Sequence, residues 1–150
     1  MATLKFKNYF IDTFSFRENV DFDIESKTLD VDFEPKAEVN IVEDASMALV
    51  TLSCNLGDAK KIDCPFTGDV TITGIFEVEF DKNNGDDTKL ANDFLSQNTI
   101  TMLFPYLRSF IADMTLRTNK FPTFILPPVN VVDMIKDKDK VTVRSLKKGL

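Results

Sequence analysis

Apolar and polar residues alternate with a period of two through the first half of the chain, a pattern typical of β-strands with one buried face. The longest such run covers residues 4–16 and has phenylalanine at most of its apolar positions. Similar runs follow around residues 39–41, over residues 48–56 and over residues 62–80. Long alternating strands with turn-like connections are typical of antiparallel sheets, so we predict an antiparallel meander.

After residue 98 the apolar period lengthens to three and four, which indicates an amphipathic helix. Apolar side chains recur with this spacing from Ile100 to Met114. Pro105 is tolerated in a first helical turn but kinks a helix interior. We therefore expect the regular helix to begin near Phe104 and to end near Asn119.

Two shorter helices are predicted on either side of this long one. Asp86 or Asp87 can cap a helix that runs to about Leu95, and a last helix is predicted from residue 129 to about residue 136. A sheet-forming first half followed by a helical second half predicts an α+β fold.

The stretch from Phe121 to Pro128, here called the proline-broken segment, holds three prolines within eight residues. Prolines forbid a helix at this place and disfavour a central strand. The segment nevertheless carries two Phe, an Ile and a Leu. An apolar stretch outside regular structure must either cover another surface or be covered itself.

Composition narrows the chemistry that is available. The chain has 150 residues, the size of one domain, with no His and two Cys, Cys54 and Cys64. The lack of His excludes His-based nucleophile pairs and His-ligated metals. Two cysteines cannot build a four-Cys zinc site, so we interpret them as buried free thiols. The loop of residues 81–88 departs from the calcium-loop pattern, and we expect neither a metal nor a cofactor.

Charge and hydropathy indicate a cytoplasmic protein that binds no nucleic acid and does not insert into a membrane. The net charge of −6 disfavours nucleic acid, which requires a basic face. No apolar run is long enough to span a membrane, and the N-terminus has no apolar signal core. Residues 136–150 contain six Lys or Arg against two acids, and we expect residues 137–150 to form a charged, flexible tail.

Several motifs resemble those of the SecB family of export chaperones. They are Leu103-Phe104-Pro105-Tyr106-Leu107-Arg108, then Phe121-Pro122 with Leu126-Pro127-Pro128-Val129-Asn130, and the strand motifs Gly74-Ile75-Phe76 and Phe14-Ser15-Phe16. The order of the motifs also matches. The resemblance covers residues 4–136, which places the predicted chaperone domain at residues 1–136.

This resemblance implies a fold, an assembly and an activity. The fold is a four-stranded antiparallel sheet with a long helix and a short C-terminal helix on one side. The assembly is a dimer of dimers, so we expect a homodimer or a homotetramer. The activity is ATP-independent holdase binding of unfolded polypeptides or preproteins, in apolar grooves between the sheet, the proline-broken segment and the last helix.

The resemblance also implies which residues line such a groove. They are Phe121, Phe124, Ile125, Leu126, Val129, Met134 and Ile135. Prolines lower the entropic cost of holding apolar groups in place, which suits a surface that captures other chains. Packing in the chain's own core is the alternative for these residues, and the sequence leaves both open.

Export members of the family dock to the motor ATPase SecA through acidic residues on the sheet face. Asp69 matches one of these acids, whereas Thr13 and Arg17 occupy the positions of two others. A reversed charge in a charge-driven contact is costly, so we do not expect SecA to bind in the usual manner. Two hypotheses of a SecB-like chaperone remain, and they differ in the protein that is bound. One is a general holdase for export or client protection, and the other is a dedicated chaperone of an antitoxin in a toxin–antitoxin system.

An enzyme and a purely structural oligomer are the remaining hypotheses. Glu77 and Glu79 share a strand face about 7 Å apart, and a paired-carboxylate hydrolase can be imagined from such a pair. Alternating charge is more typical of the solvated face of a strand, so we expect no enzymatic activity. A structural oligomer predicts no suppression of aggregation.

Overall fold

The computed structural model describes residues 3–25, 29–42, 45–79, 88–120, 124–126, 130–137 and 139–146. Along the chain the elements are β1 (Thr3–Glu18), β2 (Phe33–Val42), β3 (Met47–Leu56), β4 (Phe66–Glu79), α1 (Thr88–Thr118), α2 (Val131–Lys136) and β5 (Val141–Leu146). The α+β class is confirmed, and α2 lies within the range predicted for the last helix.

The five strands form one mixed sheet in the order β1-β4-β3-β2-β5. The pairs β1–β4, β4–β3 and β3–β2 are antiparallel, and β5 is parallel to β2. The prediction of a four-stranded antiparallel sheet is therefore wrong in the number of strands and in the parallel pair. The predicted meander is wrong as well, because β1 pairs with β4 and the connection over residues 19–32 crosses to β2.

The fifth strand lies in the segment whose charge predicts a flexible tail. Val141–Leu146 pairs residue by residue with Ala37–Val42 of β2. The short alternation Val141-Thr142-Val143 has strand propensity, and the outer edge of β2 offers main-chain groups that a further strand can satisfy. The net charge of the tail obscures this pattern, and the strand over residues 141–146 was not predicted from the sequence.

One face of the sheet packs against α1 and forms the core. The alternating inward residues of β2, β3 and β4 are buried as predicted, and α1 adds Leu103, Leu107 and Ile111. Gly74 allows close packing, because a Cβ there would lie 3.0 Å from Leu103 Cδ1. Both cysteines are free and buried as predicted, and burial raises the pKa of Cys54 to about 12.

The prediction of a single buried face holds for only part of β1. Two register shifts interrupt its pairing with β4, at residues 6–8 and 11–13. The first shift turns Phe10 to the outer face, where it is 49% exposed, and brings Ile11 towards the core. The second shift restores the original parity, so that Phe16 again packs inward. A bulge exchanges the two faces of a strand, and alternation alone does not reveal it.

α1 is one continuous helix with Pro105 in its interior. A helix start beside this proline and a separate helix ending near Leu95 are therefore wrong predictions. Pro105 lies on an exposed side of the helix, where water can bind the carbonyl group that loses its N–H partner. The proposed cap residues Asp86 and Asp87, like most of the 81–88 loop, lie outside the described residues.

Candidate functional site

The described part of the proline-broken segment, residues 124–126, lies along α1. The N–H of Phe124 donates to Thr115 Oγ1 over 3.0 Å, and Arg108 Nε donates to the carbonyl oxygen of Leu126 over 3.0 Å. Leu126 is fully buried, Phe124 is half-buried and Ile125 is 65% exposed. The segment therefore combines a side chain packed in the core, Leu126, with an apolar side chain that faces solvent, Ile125.

An open cavity of about 530 Å³ lies beside Phe124. Its other walls come from the end of the β1–β2 connection and the start of β2. The lining residues are Leu29, Asp30, Val31, Asp32, Phe33, Glu34 and Phe124. We call this cavity the acidic groove, because three carboxylates alternate with apolar side chains along one wall.

Lys61 binds two of the three carboxylates of the acidic groove. Its Nζ lies 3.1 Å from Asp30 Oδ2 and 2.5 Å from Asp32 Oδ2. The hydrogen bonds to Asp32 and then to Asp30 raise the pKa of Lys61, so its charge persists at any physiological pH. Glu34 takes part in none of the ion pairs found among the described residues. The groove thus presents one free carboxylate and two that share a cation.

Main-chain hydrogen bonds hold this wall open. The N–H of Asp30 donates to the carbonyl of Asp63 over 3.0 Å, and the N–H of Gly57 donates to the carbonyl of Asp32 over 2.7 Å. Upstream, the buried Asn19 side-chain amide donates to carbonyls of the β3–β4 loop at 3.1 and 2.9 Å. The crossing connection is therefore fixed to the β3–β4 loop at both ends.

Of the predicted groove residues, Phe124 lines the acidic groove and Ile125 is exposed beside it. Leu126 and Met134 are buried in the core. Phe121, Val129 and the side chain of Ile135 lie outside the described part of the structure. Asn130 caps the N-terminus of α2, the helix that carries Met134, and its side chain accepts the N–H of Asp133 over 3.2 Å.

The opposite wall was not predicted, although the sequence carries a signal for it. Val31 and Phe33 are partly buried against the core, while Asp32 and Glu34 between and beside them are exposed. This alternation within an acidic stretch indicates a short extended segment with one apolar face. The density of charge in residues 17–35 conceals it.

Asp69 lies on the outer face of the sheet, opposite α1. Its carboxylate accepts a hydrogen bond from the Ser15 hydroxyl over 3.1 Å. In the β1–β4 register, Thr13 lies opposite Thr71 and Arg17 lies opposite Thr67. The predicted docking acid is therefore accessible, and the basic Arg17 shares its strand pair.

A second apolar surface lies where the free edge of β1 meets α1. The rings of Phe14 and Phe110 meet edge-on at 5.2 Å, and those of Tyr9 and Tyr106 lie 4.6 Å apart. Phe14 is 53% exposed, and Tyr9 and Tyr106 are also exposed. We call this surface the β1–α1 aromatic face.

Other chemistry is sparse in the described residues. Glu77 lies 3.9 Å from Lys7 Nζ, and Glu79 accepts a hydrogen bond from Thr3 at 3.5 Å, both on the exposed outer face. Among the residues described, no cluster of three potential metal ligands occurs. No helix in the described ranges has the length and hydropathy to cross a membrane.

Comparison with known proteins gives three findings. The family model "Preprotein translocase subunit SecB" matches residues 2–141. An uncharacterized protein of Methanocaldococcus jannaschii (MJ0357) is 28% identical over 152 residues, which cover 98% of this chain and 92% of that protein. Among solved structures, the Mycobacterium tuberculosis Rv1957 SecB-like chaperone in complex with a ChAD peptide from the Rv1956 HigA1 antitoxin superposes with a TM-score of 0.64 at 19% identity, covering 85% of this chain and 88% of that one.

Proposed function

Since the chain belongs to the SecB family of chaperones, we propose that it is an ATP-independent holdase that binds unfolded segments of other proteins in the acidic groove. The observation that supports this proposal is an open cavity with apolar side chains on both walls, held apart by main-chain hydrogen bonds. A holdase needs exposed apolar surface that cannot collapse on itself. The acidic groove meets that requirement without any movement of the sheet.

Capture in this groove rests on the burial of apolar area rather than on one client sequence. Phe33 and Phe124 offer rings from opposite walls, and Leu29 adds an exposed aliphatic side chain. Each buried apolar Å² contributes about 25 cal/mol, so a few apolar client residues suffice for reversible binding. Ile125 extends the apolar area beyond the cavity itself.

The carboxylates of the groove favour one class of client segment. Glu34 is free among the described ion pairs, and Asp30 and Asp32 share a single Lys61. A negative rim attracts cationic side chains and repels anionic ones. The preferred client is therefore an unfolded segment in which basic residues flank apolar ones.

Suppression of aggregation tests the proposal. Reduced insulin aggregates in a light-scattering assay, and an equimolar amount of the protein, counted as protomers, is expected to slow this aggregation without any nucleotide. A purely structural oligomer leaves the aggregation curve unchanged, and that result would contradict the proposal. Dependence on ATP would contradict it as well.

A dedicated antitoxin chaperone is the second candidate function. The structural neighbour with a TM-score of 0.64 is a SecB-like chaperone in complex with an antitoxin peptide, and Arg17 places a positive charge beside Asp69 on the outer sheet face. Mass spectrometry of the proteins that co-purify with the chain from its own host separates the two candidates. A single small partner supports the antitoxin function, whereas a mixture of clients supports a general or export holdase.

The working unit that we propose is an even homo-oligomer, either a dimer or a tetramer. β1 is an edge strand that pairs on one side only within the described part of the chain, and the β1–α1 aromatic face beside it exposes several rings. Unpaired strand edges and large apolar patches are normally covered. A second copy of the chain could cover both by pairing along β1.

A further inference from the structure

Most of β5 lies beyond the residues that the family model matches. The family match ends at residue 141, the first residue of β5. The strand nevertheless occupies the whole outer edge of β2 from Ala37 to Val42. It is also the last element that the structure describes, and it packs on β2 and α2.

Among the β5 side chains that the structure describes, Val141–Arg144, few make contacts that hold the strand in place. Val141 is buried, whereas Thr142, Val143 and Arg144 are exposed. The Arg144 guanidinium lies 3.2 Å from the Glu38 carboxylate, but both side chains are exposed, and such surface ion pairs contribute little. Parallel pairing is also slightly less stable per residue than antiparallel pairing. The attachment of β5 therefore rests mainly on its main-chain ladder.

The ladder has a defined direction and a defined start. The N–H of Ala37 donates to the carbonyl of Lys140 over 2.7 Å, so the parallel register makes the carbonyl of Ala37 the acceptor for the N–H of Thr142. The residues of β2 whose main-chain groups face β5 alternate along the strand, and Pro35 is one of them. Proline has no N–H to donate. The usable edge therefore begins at Ala37, where β5 begins to pair.

This edge continues directly from the acidic groove. Glu34 lines the groove, and Ala37 lies three residues further along the same strand, about 10 Å away. An unfolded segment lying in the groove would meet β5 at that point. In the turn that precedes β5, the N–H groups of Lys140 and Val141 donate to the carbonyl of Asp137 over 3.0 and 3.1 Å. This short turn joins β5 to α2.

We propose that the outer edge of β2 is a client-binding site which the chain's own β5 covers when no client is bound. An extended client segment displaces β5 and pairs with β2 at Ala37–Ile41. The inference rests on the proposed holdase function, and it adds a main-chain binding surface to the apolar groove. The partner is any extended segment with unsatisfied N–H and C=O groups. β5 keeps the edge covered until a client arrives, which prevents strand-to-strand aggregation of the chaperone itself.

A pair of proline variants in the full chain tests the proposal. Thr142→Pro removes an N–H that donates to β2, whereas Val143→Pro removes an N–H that faces away from β2. The probe is fluorescent ribonuclease A whose cysteines are reduced and carbamidomethylated, so that it stays unfolded. Thr142→Pro is expected to bind this probe roughly tenfold more tightly, since one lost ladder bond weakens the competitor, while Val143→Pro is expected to match the unsubstituted chain. Equal affinities for all three chains would overturn the proposal.

Hydrogen exchange gives a second readout that does not depend on folding of a variant. Saturation of the unsubstituted chain with the same probe is expected to release the amides of Thr142 and Arg144 while those of Ala37, Val39 and Ile41 stay protected. Continued protection of the β5 amides in the saturated complex would overturn the displacement. If the unsubstituted chain fails to bind the probe at all, the holdase function fails first, and the displacement falls with it.

Discussion

Single residues of the proline-broken segment differ in what they can do, because their side chains point in different directions. Leu126 is sealed in the core, Phe124 forms a wall of the acidic groove, and Ile125 is exposed. Substitution of the buried residue is therefore expected to destabilise the fold, whereas substitution of the exposed residue is expected to affect only the binding of unfolded clients. Ile125 is the most suitable of these positions for a binding test, because its side chain contributes least to packing.

Ile125→Ser is expected to weaken the binding of unfolded ribonuclease A severalfold. Loss of an exposed side chain should change the free energy of unfolding by less than about 0.5 kcal/mol, so the effect reports binding. Ile62→Ser is the matched control, since Ile62 is similarly exposed, at 61%, but lies on the β3–β4 loop, whereas Ile125 adjoins Phe124 in the wall of the groove. Equal loss of binding in both variants, measured by fluorescence anisotropy, would count against a specific site.

Lys61→Met is expected to strengthen the binding of this basic client at low salt and to steepen its dependence on salt. The substitution frees Asp30 and Asp32, while main-chain hydrogen bonds still hold the wall. Lys60→Met is the control, because it removes the same charge from an exposed neighbour without an ion pair to the groove. Identical salt slopes for the two variants would show that the rim carboxylates do not contact the client.

Arg17→Glu is expected to strengthen binding to SecA, which the unsubstituted chain should bind weakly. The substitution restores an acid on the outer face beside Asp69. Arg117→Glu makes the same charge change near the end of α1 and serves as the control. If a titration followed by calorimetry detects no gain for Arg17→Glu over this control, the outer face is not the docking surface.

At the scale of elements, the sequence predicted most strands and both helices. The predictions failed where tertiary contacts outweigh the local preference of the sequence. Pro105 breaks an isolated helix, yet α1 continues through it because the sheet supports the buried side of the helix on both sides of the proline. The two bulges of β1 and the pairing of β5 depend on what lies across the sheet. Such features have no signature in the pattern of a single strand.

Pro105→Ala is expected to raise the free energy of unfolding by roughly 2 kcal/mol. Alanine restores the helical hydrogen bond that proline removes, a gain of up to about 3 kcal/mol in a helix interior, less the stiffening that proline gives the unfolded chain. Chemical denaturation followed by circular dichroism measures the change. A loss of stability would mean that the proline shapes a packing contact of α1.

The candidate site was predictable only on one side. Phe124 and Ile125 were identified from the resemblance of their segment to a family motif. The facing wall was not identified, because the charge of residues 17–35 conceals its short apolar alternation. This stretch becomes a wall only through hydrogen bonds to the distant β3–β4 loop. Sequence periodicity reports local structure and does not report which loops meet.

At the scale of the whole molecule, the described residues present two apolar surfaces, for which we propose two different roles. The acidic groove has carboxylates along one wall, whereas the β1–α1 aromatic face exposes rings beside an edge strand of the sheet. This division favours clients for the first surface and a second copy of the chain for the second. A net charge of −6 per chain favours the solubility of the proposed assembly.

Phe14→Glu is expected to dissociate the even oligomer into smaller species, because it places a charge within the proposed contact between copies. Val20→Glu introduces the same charge at a side chain that is 89% exposed on the β1–β2 connection and should leave the assembly intact. Native mass spectrometry distinguishes the species. A monomeric unsubstituted chain, or an unchanged mass for Phe14→Glu, would place the contact elsewhere or exclude it.

Photo-crosslinking tests the central claim, capture of unfolded chains in the acidic groove, most directly. A photo-reactive phenylalanine analogue is placed at Leu29, which lines the groove, or at Glu77, which is exposed on the outer face of the sheet. Unfolded ribonuclease A is expected to crosslink at position 29 and not at position 77, with no nucleotide present. Crosslinking confined to position 77, or none at position 29 while the client is bound, would contradict the account.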